Sequence, residues 1–144
     1  MEPVLNKALK KLSERAKELE CLHNVEEAIK TSGDSESILF KKLLGIIPQG
    51  MQYSTVCEAR IKYGNTEYST EDFCETEWLI KSDLVVDNNI VGHISVVYTQ
   101  LIKQDKEVQF LPEEKMLLDN IASRISCWLF VLVIKSARKS QQQK

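Results

Sequence analysis

The stretch 57–98, CEARIKYGNTEYSTEDFCETEWLIKSDLVVDNNIVGHISVVY, constrains this chain most. It reads as consecutive β-strands separated by short turns, set between two long helical patterns. Gly64-Asn65 signals a two-residue hairpin because both residues tolerate positive φ, and Asp87-Asn88-Asn89 marks a second turn for the same reason. Strands are expected at about 53–63, 66–71, 77–87 and 90–100, with 71–76 as a loop between the second and third.

On the N-terminal side, Leu5, Leu9, Leu12, Ala16 and Leu19 recur at 4-3-4-3 spacing, the seam of a coiled coil. Strict continuation would place His23 and Glu26 in that seam, so the apolar stripe shifts to Leu22, Val25 and Ile29. A shift of this kind marks where a helix passes from an intermolecular contact onto its own domain. A second helix follows, capped by Ser35 or Ser37, buried through Ile38, Leu39, Leu43 and Ile46, and stopped at Pro48-Gln49-Gly50. The segment 103–109 is a polar loop, and Pro112 opens a last helix with Glu113 and Glu114 against its dipole. Leu118, Ile121, Ile125, Trp128 and Leu132 form its seam. The expected fold is α+β, an antiparallel β-sheet with long N- and C-terminal helices packed on one face. Residues 1–30 form a signalling or dimerisation helix, 31–111 the α+β core, and 112–144 a dimerisation or output helix.

A chain of 144 residues is long enough for one core. Its net charge of −2 and pI near 5.8 argue against nucleic-acid binding, which wants a concentrated basic surface. The longest apolar run, WLFVLVI at 128–134, is far short of the ~20 residues of a bilayer span, so no membrane span and a cytoplasmic location are expected. Both terminal helices exceed what the sheet can cover. A homodimer through Leu5, Leu9, Leu12, Leu19, Ile121, Ile125, Trp128 and Leu132 would bury them.

Alternation sorts the sheet faces. Cys57, Ala59, Ile61 and Tyr63 face the core with Ile94, Val96 and Tyr98, while Glu58, Arg60 and Lys62 face away with His93, Ser95, Val97 and Thr99. Arg60, His93, Glu58 and Ser95 are a candidate site for a small anion, since guanidinium and hydroxyl groups recognise carboxylates directionally. A one-sided antiparallel sheet has a polar outer face in any case, so the composition of that face alone does not make a site. Phe73 and Trp78 flank the loop and could wall a pocket. Cys21, Cys57, Cys74 and Cys127 are scattered without zinc-like spacing, and no phosphate loop or hydrolase motif occurs. No metal, cofactor or catalytic residue is expected.

The phrases LSERAKELECLHNVEEAI, IIPQGMQY, the strand block and EEKMLLDNIASRIS together resemble a GAF-like sensor domain. The similar subgroup lies N-terminal to sensor histidine kinases and to phosphoenolpyruvate synthase or pyruvate phosphate dikinase-type proteins. The resemblance covers about 12–128 and implies a ligand pocket on the face opposite the helices. It also implies a parallel dimer whose outgoing helix continues into a kinase or phosphotransferase effector domain of the same polypeptide. Larger members insert helices where this chain has only 71–76, so any pocket should be small and unsuited to cyclic nucleotides or tetrapyrroles. Two alternatives stand beside small-molecule sensing. One is a ligand-free structural dimerisation module. The other is a cysteine-dependent reductase, which needs Cys57, Cys74 and His93 to converge.

Overall fold

The computed structural model describes residues 2–100 and 112–142. The polar loop read at 103–109 lies outside the described residues. Helix α1 (Glu2–Thr31) has no glycine in its length and runs for about 45 Å. It ends where Ser32 and Gly33 turn the chain. Helix α2 (Glu36–Ile46) starts at Ser35, whose side chain accepts a hydrogen bond from the Ile38 N–H. Pro48 then imposes a 3₁₀ turn over Ile47–Gly50.

Four strands follow: β1 (Cys57–Tyr63), β2 (Thr66–Ser69), β3 (Leu79–Val86) and β4 (Asn89–Tyr98). They form one antiparallel sheet in the order β2-β1-β4-β3, two hairpins joined through the central β1–β4 pair. The first strand starts later than its sequence pattern suggested, because Ser54–Val56 is a 3₁₀ turn. Both turns fall where expected. Asp87 and Asn88 take φ of 52° and 63°, the positive pair of a type I′ hairpin. At the centre of the sheet, a Cβ on Gly92 would lie 2.0 Å from the Lys62 carbonyl oxygen, so only glycine fits opposite Tyr63.

Among the described residues the helices gather on the side of the sheet that carries Ala59, Ile61, Ile94 and Val96, all fully buried, with α1 reaching that core over the other helices. Phe40 of α2 meets Tyr63 and Tyr68 edge-on, with ring centroids 6.1 and 5.5 Å apart. Helix α3 (Pro112–Gln142) packs over β3 through Leu117, Leu118, Ile121, Ala122, Ile125 and Leu129. Polar contacts fix it there: Ser82 donates to Asp119 at 2.7 Å, and the N–H of Val85 donates to Ser126 at 3.0 Å. Val85 sits at a register shift of the β3–β4 ladder, so Ser126 takes up an N–H that the bulge leaves over.

The seam assignments divide. Ile121 and Ile125 are fully buried in the chain's own core, so they are not dimer-contact residues; 3-4 spacing looks the same whether the partner is a sheet or a second copy. Trp128 is half-buried, 6.5 Å from Phe40, and Leu132 is half-buried beside it. Leu5, Leu9, Leu12 and Leu19 are 54–69% exposed, and burial of α1 begins at Cys21, followed by Val25 and Ala28. The stripe shift in the sequence therefore coincides with the point where α1 reaches its domain.

Glu26 pairs with Arg124 and Asp34 with Lys135, so α1 and α3 run in the same direction. Each helix outruns the core at a different end, α1 with its first turns and α3 with its last. Phe130, Val131, Val133 and Ile134 are exposed on the α3 extension. By length and composition Pro112–Arg138 reaches what a bilayer span requires, with a window of mean hydropathy 1.7. Its inner face is nevertheless the wall of the core under β3, and crossing a bilayer would take that core apart.

Candidate functional site

The outer face of the sheet is built by alternation from β1, β4 and β3. Register places Arg60 opposite Ser95 and Ser95 opposite Lys81, so one row across three adjacent strands reads Arg60, Ser95, Lys81. The next row holds Lys62, His93 and Asp83. Arg60, His93 and Ser95 are thus brought together as the sequence predicted. Lys62, Lys81, Glu67, Glu75 and Leu79 complete the walls of a depression of ≈ 360 Å³ over this face.

The loop from Thr70 to Trp78 crosses beside it and is pinned at both ends. The N–H of Thr70 donates to the Ala59 carbonyl at 2.9 Å, and the Thr76 hydroxyl donates to the Tyr98 carbonyl at 2.9 Å. Between those anchors the loop delivers two groups onto Arg60. The Phe73 ring lies 4.8 Å from the guanidinium carbon, within cation–π range. Glu75 accepts from Arg60 Nη2 at 2.8 Å, while Glu67 of β2 stands 3.7 Å from Nη1. The Arg60 side chain is 18% exposed, and its Nε is buried with no partner.

Ser95 is fully buried, and its hydroxyl too has no hydrogen-bond partner. A buried hydroxyl left unpaired costs about 1–3 kcal/mol. Two orphaned polar atoms on paired residues, in a depression holding three cations against two carboxylates, describe a site suited to an anion. The His93 imidazole responds to the same field: burial first, then the charges of Lys81, Arg60 and Lys62, hold its pKa below the ordinary value, with Asp83 opposing them.

Two predicted site residues are elsewhere. Trp78 follows the alternation of Ile80 and packs against the core, so it does not wall the depression. Glu58 pairs with Val97 one row away and does not line it. The outer face is also less open than its composition suggested, since Val97 is buried along with Ser95. Lys81 was findable by alternation with Asp83 on the third strand. Glu75 had no such signal, because an irregular loop has no period.

Cys57 does not converge with His93. Cys57 is buried on the core face, opposite to His93, and burial followed by the charges of Glu114 and Glu58 pushes its thiol pKa far up. Cys21 is pushed up to about 11 by burial, while Cys74 and Cys127 are exposed. Among the described residues no group of three His, Cys, Asp or Glu side chains forms a metal site. A larger depression of ≈ 490 Å³ lies along the protruding part of α1, but Lys7, Lys10, Lys11 and Arg15 wall it with exposed, solvated side chains. Comparison with protein-family models and with curated proteins gives no match.

Proposed function

We propose that the chain is a GAF-like regulatory domain, cytoplasmic and non-enzymatic, that senses a small ligand on the outer face of its sheet. The observation that carries this reading is the unpartnered hydroxyl of Ser95, buried on a central strand beneath a cation-rich depression. The opposite face of β4 supports the helices, so one strand borders both the site and the output element. Helices α1 and α3 then carry the signal through a parallel homodimer to a kinase or phosphotransferase effector in the same polypeptide. Leu5, Leu9, Leu12 and Leu19 are exposed at seam spacing and supply the α1 contact, with the apolar end of α3 as the second. A ligand biases such a device only by the difference between its affinities for two packings of the bundle.

One observation favours a ligand-free structural module instead: Arg60 is already engaged by Glu75 and Phe73. A thermal-shift screen of small metabolites separates the two, because a binder of the folded state raises the transition temperature by mass action. The sensing reading expects at least one hit that Arg60→Gln abolishes; a silent screen supports the structural module. Light scattering tests the dimer, which Leu12→Glu should dissociate. A wild-type monomer at high concentration would refute the helix-pair output.

A further inference from the structure

We propose that the outer-face site takes a small carboxylate, and that Glu75 occupies the carboxylate's place on Arg60 until the ligand displaces it. This rests on the sensing reading above and names both its ligand class and its gate. Arg60 offers a planar fork that matches a carboxylate with two parallel bonds, yet in the structure it spends that fork on two separate single contacts. The closer comes from Glu75, 65% exposed on the loop, a carboxylate that loses little by returning to water. Exposed pairs of this kind hold weakly.

Beneath the pair, Ser95 and Arg60 Nε are sealed and unsatisfied, so the closed arrangement leaves unused the polar groups that a ligand would engage. A carboxylate entering between Arg60 and Lys81 reaches both cations of the row and brings the Ser95 hydroxyl an acceptor. Its arrival frees Glu75 and lifts Phe73 from the guanidinium. The lid is therefore held shut by an internal imitation of its ligand.

The test measures binding of unbranched mono- and dicarboxylates of two to six carbons to the full chain by calorimetry, with inorganic phosphate as comparison. Glu75→Gln should tighten carboxylate binding about two- to fivefold, the range set by a weak competing pair. Ser95→Ala should weaken binding while leaving the unliganded protein as stable as before or more so, because it removes an unpaired buried hydroxyl. In a Cys127→Ser background, the exposed Cys74 beside Glu75 should react faster with a thiol reagent once carboxylate is bound. Binding with unchanged affinity in Glu75→Gln and unchanged Cys74 reactivity overturns the displacement and leaves sensing standing. Binding of phosphate but of no carboxylate overturns the ligand class. If neither anion binds either protein while the metabolite screen gives another ligand at Arg60, this proposal falls and sensing survives; if that screen is also silent, both fall.

Discussion

Tyr98→Phe removes one oxygen from the centre of the molecule and should cost far more than its size suggests. Tyr98 is fully buried at the end of β4, and its hydroxyl donates to Glu114, itself only 2% exposed in the first turn of α3. The same hydroxyl accepts from the N–H of Tyr53 at 3.3 Å, and Glu114 also accepts from the N–H of Gln52 at 2.9 Å. Burial, then the bond to Glu114 and its charge, raise the phenol pKa far above its ordinary value, which keeps Tyr98 the donor of the pair. Losing a hydrogen bond to a buried charged acceptor costs about 1.5–3 kcal/mol, and the long Tyr53 contact adds up to about 1 kcal/mol. The ring still packs, so no cavity cost of note arises. The sum is about 1.5–4 kcal/mol, which for a domain of this size lowers the transition temperature by roughly 5–13 °C. Urea denaturation of wild type, Tyr98→Phe, Glu114→Gln and the double variant gives the coupling directly, expected at about 1 kcal/mol or more. A loss below about 0.5 kcal/mol, or additive single effects, would refute the claim that this pair ties α3 to the sheet.

Gly92→Ala should destabilise the domain by about 2 kcal/mol or more in the same assay, since its methyl group meets the Lys62 backbone and forces β1 and β4 apart. Wild-type stability would show that the strands part freely there. Thiol titration of the native protein should find Cys74 and Cys127 reacting readily, and Cys21 and Cys57 only on unfolding. Fast modification of Cys57 would revive the reductase alternative. The lowered folded pKa of His93 means that the unfolded chain binds the proton more readily. Stability should therefore be full above the unfolded value near 6.5 and fall as pH drops toward the folded value. His93→Gln should flatten that slope between pH 7 and 5; an unchanged slope assigns it to other groups. Saturating carboxylate should weaken it as well, by screening the cations around the imidazole.

The strands were legible because turn signals that admit positive φ bound them, as at Asp87 and Asn88, and because β1 alternates clearly. Pairing adjacent hairpins then sufficed to bring Arg60, His93 and Ser95 onto one face. Periodicity cannot decide what covers a stripe: the spacing of Ile121 and Ile125 fits an intermolecular seam, yet the sheet covers them. Proximity in sequence misled at Trp78, one residue before β3, where alternation already commits the ring to the core. From the sequence Glu114 is only a partner of the helix dipole. Its bond to Tyr98 joins residues that no local pattern relates, and the same holds for Glu75 on Arg60.

The shared direction of α1 and α3 gives the helix pair a polarity. A reporter fused to the end of α3 would inherit an azimuth from Leu118, Ile121 and Ile125, which the sheet holds in place. Inserting one residue in the exposed extension turns that cargo by about 100°, whereas inserting seven restores it to within about 20°. A graded series of insertions after Ile134 would then make an attached reporter's activity rise and fall with the helical period. The domain would behave as an indexed shaft, in which phase matters more than length.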